Sequence, residues 1–132
     1  MNRREQREQI FKLLFRVEFN DREEMPGQCD LFFADDENAS DPKDVAYIRG
    51  KYEQIAKKLD EIDRMIDETA KGWSLKRMGK VDLAIIRLAL YEMKFDEDVP
   101  VGVAINEAVE LAKKFGQDGS AGFVNGVLAK FA

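Results

Sequence analysis

The stretch VDLAIIRLALYEMKF, residues 81–95, restricts the fold more than any other part of the chain. On a helix turning about 100° per residue its apolar side chains fall on nearly every side, so no face of it can be given over to water. Such a helix needs neighbours all round and is expected to be the central, buried helix of the molecule. Arg87 is the oddity inside it. A buried guanidinium needs a carboxylate, and since Asp82 and Glu92 each lie five residues away, the partner is expected from another helix.

The rest of the chain can supply those neighbours. Asn2 with Glu5 three residues on is a capping-box variant that starts a helix near Arg3. Its apolar pattern, Ile10, Phe11, Leu13, Leu14 and Val17, runs to about Phe19. Asp41-Pro42, a cap followed by a first-turn proline, opens a second, long helix. In it Val45, Ile48, Tyr52, Ile55, Leu59, Ile62 and Ile66 recur at alternating spacings of three and four, with Thr69 and Trp73 in register. That is a heptad seam, read as packing within a bundle in preference to a dimeric coiled coil. Gly50 interrupts it at about 1 kcal/mol relative to Ala.

Asp98 and Pro100 open the next helix, with Val101, Ala104, Ile105, Ala108, Val109, Ala112 and Phe115 on one face and Gly116 as its stop. After the turn QDGSAG a last helix presents Phe123, Val124, Val127, Leu128 and Phe131. Residues 20–41, with Pro26 and Gly27, read as a connection holding at most one short helix around Leu31 to Ala34. No period-two segment of strand length competes, so the expected class is all-α.

Charge is unevenly spread within a formal net charge of -5. Residues 1–19 carry five basic and three acidic groups (+2), residues 20–41 one basic and eight acidic (-7), and residues 42–132 fifteen of each. Arg3, Arg4 and Arg7 precede the apolar run of the first helix, and Arg3 and Arg7 fall within the angular span of its stripe. Cations in a first turn oppose the helix dipole and call for a compensating anion. Lys71, Lys76, Arg77 and Lys80 form a second basic cluster, in KGWSLKRMGK, with no acidic residue among them. The run Asp35-Asp36-Glu37 reads as a solvated loop, because metal cages need ligands converging from defined spacings.

Several chemistries are excluded outright. With no histidine, Ser-His-Asp and Cys-His catalysis and histidine metal sites are ruled out. Neither GxxxxGK[ST] nor GxGxxG occurs. Asp60, Asp63 and Asp67 share a helix flank that could hold Mg2+ against a diphosphate. Lys57, Lys58 and Arg64 in the same segment make it read as an ordinary charged surface. A single cysteine, Cys29, forms no intramolecular disulfide and reads as an inert loop thiol in a reducing compartment. No apolar run reaches about 18 residues and Lys12 interrupts the first one, so a soluble, cytoplasmic protein without membrane association is expected.

VDLAIIRLALYEM, then DVPVGVAINEAVELAKKFG, then FVNGVL, in this order and spacing, closely resemble the NusB family of bacterial transcription antitermination factors. The likeness is long and specific from Val81 to Leu128, looser in the Arg3–Phe19 helix, and only one of helical character over residues 20–72. It implies two small helical bundles packed as one domain, an N-terminal lobe of residues 1–72 and a C-terminal lobe of residues 73–132. It also implies a factor that joins NusE, a ribosomal protein, in binding the boxA sequence of nascent ribosomal RNA transcripts, and that helps RNA polymerase resist termination. No catalysis, cofactor or metal is implied. The same domain occurs fused ahead of an RNA cytosine methyltransferase, which a chain ending at Ala132 is expected to lack.

By this resemblance Arg3, Arg4 and Arg7 match the arginine-rich first helix that binds RNA, with Glu5 and Glu8 interrupting what is often a denser basic run. Gln117, Asp118 and Ser120 of the QDGSAG turn match a loop near the RNA, and Phe15 and Asp82 correspond to the NusE-contacting surface. Two other classes stay open: a protein-interaction adaptor whose arginines dock an acidic partner, and a Mg2+-dependent enzyme using the aspartate flank. Oligomeric state is open too, since apolar surface meant for NusE could support a homodimer.

Overall fold

A computed structural model describes residues 1–69 and 75–132, apart from the side chain of Lys76. Lys71, Trp73 and the expected lobe boundary between residues 72 and 73 lie outside the described residues. Among the described residues there are helices and no strands: α1 (Arg3–Arg16), α2 (Met25–Ala34), α3 (Pro42–Ala56), α4 (Leu59–Thr69), α5 (Lys80–Phe95), α6 (Val101–Phe115) and α7 (Ser120–Ala129), with 3-10 turns at Arg22–Glu24 and Leu75–Arg77. None of the helices is long and apolar enough to cross a membrane. The all-α class expected from the sequence is the class observed.

Contacts divide the chain into two compact units, Met1–Ala56 and Lys57–Ala132. In the first, α1 packs on α2 and α3. Its start is the capping box: Asn2 Oδ1 accepts from the Glu5 N–H at 2.8 Å, and Glu5 Oε1 accepts from the Asn2 N–H at 3.0 Å. Ile10, Phe11, Leu13 and Leu14 bury the stripe. The helix ends at Arg16, and Phe19 falls in the turn beyond it.

The connection after α1 holds a longer helix than Leu31 to Ala34, because Pro26 and Gly27 are helical residues of α2 and not a turn. Proline in a first helical turn gives up an N–H that has no intrahelical acceptor anyway. Met25, Cys29 and Phe32 then bury one face of α2. Cys29 is therefore a core residue and not a loop thiol, and burial pushes its thiol pKa up.

The heptad seam is likewise not one helix. Ile48, Tyr52, Ile55, Leu59, Ile62 and Ile66 are all buried, but the helix breaks at Lys57-Lys58. The seam serves two different partners: α3 packs on α1, and α4 packs on α5. For that reason α4 belongs with the second unit. Asp41 caps α3 as expected, its Oδ1 accepting from the Lys43 N–H at 2.8 Å.

In the second unit α5 is the hub, in contact with α4, α6 and α7. Every residue from Leu83 to Glu92 is buried, as the all-round apolar pattern requires. Arg87 finds its carboxylate on another helix: Nε donates to Asp63 Oδ1 at 2.8 Å and Nη2 to Asp63 Oδ2 at 2.9 Å. This two-pronged pair holds α4 against α5. It also gives Asp63 a structural task, taking it out of the aspartate flank considered for Mg2+. Among the described residues no three metal-ligating side chains converge.

Candidate nucleic-acid interface

In the first unit Arg3, Arg4, Arg7 and Phe15 all lie on α1. Arg3 and Arg4 are exposed, and Arg7 and Phe15 half-buried. Two carboxylates lie at the first turn: Glu5, used in the capping box, and Asp44 on α3, which pairs with the terminal ammonium. Gln6 links the parts: its Oε1 accepts from Arg3 Nη1 at 2.7 Å, and its Nε2 donates to Asp44 Oδ1 at 2.9 Å. The hydrogen bond from Gln6, helped by the terminal ammonium 3.3 Å from Oδ2, holds the Asp44 carboxyl below its usual range against an opposing effect of desolvation. The Arg3 guanidinium carbon sits 4.0 Å from the centre of the Tyr47 ring on α3.

Phe15 is the middle rung of an aromatic ladder. Its ring centre lies 6.4 Å from that of buried Phe11 and 5.1 Å, edge-on, from that of Phe19. Phe19 is 59% exposed, so the ladder carries apolar surface from the core to solvent. Sequence reasoning used Phe19 only as the end of a helix. The spacing of four between Phe11, Phe15 and Phe19 was the signal that could have found it.

In the second unit Asp82 and the QDGSAG turn come together. Lys80 and Asp82 from the first turn of α5, with Phe115 at the end of α6, Gly116 and Gln117 in the turn that follows and Ser120 at the start of α7, line a cleft of about 180 Å³. Residues that the resemblance assigns to different partners thus share one concavity. Gln117 and Asp118 are exposed, whereas Ser120 is buried. The Ser120 hydroxyl accepts from the Gln117 N–H at 3.0 Å, and Gly119 adopts a left-handed φ of +88°. These contacts fix the loop that displays Gln117 and Asp118. Of the second basic cluster, Arg77 and Lys80 are exposed, while Lys71 and the Lys76 side chain fall outside the described residues.

Gly116 does more than stop α6. A Cβ there would lie 2.6 Å from the Ala112 carbonyl oxygen and 2.6 Å from the Ser120 Cβ and Oγ. The carbonyl belongs to the last turn of a helix and cannot move aside. Gly116→Ala is expected to destabilise the protein by roughly 1–3 kcal/mol and to broaden or shift the amide resonances of Gln117 and Asp118. An unchanged urea midpoint together with an unchanged amide spectrum would contradict this.

The NusB family profile matches residues 4–132. The chain is 54% identical over 132 residues to the transcription antitermination protein NusB of Agathobacter rectalis, covering 100% of both chains. Among solved structures it is similar to T. maritima NusB, with a TM-score of 0.87, 36% identity and coverage of 100% of this chain and 91% of that one. It is also similar to a chain in the crystal structure of a plectonemic RNA supercoil, with a TM-score of 0.82, 26% identity and coverage of 98% and 93%.

Proposed function

This chain belongs to the NusB family, and on that footing we propose that it is a transcription antitermination factor that joins NusE in binding boxA RNA of nascent ribosomal RNA transcripts. It acts by binding alone, without a catalytic step, in the cytoplasm where RNA polymerase works. The observation that carries this reading is the full-length 54% identity to a protein named for that activity. The grouping of Arg3, Arg4 and Arg7 at one end of α1 is consistent with it.

The division of labour follows from side-chain chemistry. Arg3, Arg4 and Arg7 neutralise phosphates, for which the planar guanidinium fork is suited, and can stack on unpaired bases. Exposed Gln117 and Asp118 offer an amide and a carboxylate to base edges, while buried Ser120 shapes their loop. Phe15, backed by Phe19, and Asp82 form the NusE-facing groups. A charge of only +2 over residues 1–19 gives a single subunit modest attraction for RNA, so the two proteins bind it jointly.

The test is transcription in vitro through a terminator placed downstream of boxA. The protein with NusE and the other components of the antitermination complex should raise read-through on the boxA template and leave a template with scrambled boxA unchanged. Equal read-through on both templates, or none added by the protein, would contradict the proposal.

A further inference from the structure

We infer that Tyr47, on α3, is a positioning residue for RNA binding: its ring holds the Arg3 guanidinium ready for phosphate, so that α3 as well as α1 sets the affinity for RNA. The inference rests on the RNA-binding reading of α1 and extends it to a helix that the reading leaves out.

Three observations carry it. The Arg3 guanidinium carbon is 4.0 Å from the Tyr47 ring centre, well inside the range of about 6 Å over which a cation is attracted to an aromatic face. The same guanidinium donates to Gln6 Oε1 at 2.7 Å, and Gln6 is itself tied to α3 through Asp44 at 2.9 Å. One turn along α3, Lys51 Nζ lies 5.7 Å from the centre of the same ring, so Tyr47 gathers a second cation.

The character of the partners matters more than their number. Arg87 is held by a carboxylate, Asp63, that cancels its charge. Arg3 is instead held by an aromatic face and an amide oxygen, neither of which carries a formal charge. Such partners fix the direction of the side chain and leave its positive charge available to an anion. A long exposed side chain loses rotamer freedom when it engages a phosphate. Holding it beforehand lowers that loss on binding.

The experiment uses the full chain and two variants of one residue. Tyr47→Leu removes the ring face, and Tyr47→Phe keeps it without the hydroxyl. In the protein without RNA, the Arg3 side-chain protons should show an upfield ring-current shift that persists in Tyr47→Phe and disappears in Tyr47→Leu. With boxA RNA and NusE, Tyr47→Leu should bind about two- to fivefold more weakly than wild type, and Tyr47→Phe should bind like wild type. In an Arg3→Ala background Tyr47→Leu should have no further effect, whereas a merely structural role would leave its effect undiminished and lower the melting midpoint. RNA binding by wild type together with unaltered binding by Tyr47→Leu would overturn this inference alone. Failure of wild type to bind the RNA at all would overturn the RNA-binding reading and the inference with it.

Discussion

Leu88→Ala should lower the free energy of unfolding by about 2–5 kcal/mol, the range for truncating a fully enclosed leucine whose cavity closes only in part. Leu88 is 2% exposed near the middle of α5, the helix that α4, α6 and α7 all contact. No neighbour can close the gap without drawing another away. Lys57→Ala, at an exposed position between α3 and α4, should change stability by less than about 0.5 kcal/mol. Urea unfolding of the two variants gives the comparison. Equal midpoints would refute the assignment of α5 as the hub of its unit.

Changing Arg3, Arg4 and Arg7 together to Ala should weaken RNA binding and flatten its dependence on salt. Each lost phosphate contact removes about 0.7 from the slope of log affinity against log salt for a single strand, so the triple variant should lose about 2. Folding should be little affected. Arg3 and Arg4 are exposed, and removing cations from a helix N-terminus relieves an unfavourable interaction with its dipole, which offsets the lost contact of Arg3 with Tyr47. Salt titrations of wild type and variant on one boxA oligonucleotide, with melting curves alongside, decide the matter. Parallel salt plots would refute the assignment and direct attention to Arg77 and Lys80.

Elements whose burial pattern and end signals agree were legible in the sequence. The capping box placed the start of α1, the all-round apolar run placed α5, and the need of Arg87 for a carboxylate from another helix was met by Asp63. The failures have physical causes. A hydrophobic period records which residues are buried and not against what, so the Val45–Ile66 seam looked like one helix while its halves pack on α1 and α5. Pro26-Gly27 signals a turn equally well when it lies in the first turn of a helix, and α2 was shortened on that account. Asp63 was visible as an aspartate, but its use depends on a helix far along the chain. The site was legible as residue types only. Tyr47 lies off the seam that drew attention to α3, and that Asp82 and Gln117 line one cleft is a tertiary fact.

Joint binding of RNA by this protein and NusE is the central claim, and a boxA titration followed by fluorescence anisotropy, with and without saturating NusE, tests it most directly. The small positive charge of residues 1–19 predicts weak binding by the protein alone. NusE should tighten it by a coupling free energy of about 1–3 kcal/mol, roughly 5- to 150-fold, and boxA RNA should tighten the binding of NusE by the same factor. Identical RNA affinity in the presence and absence of NusE would contradict the account.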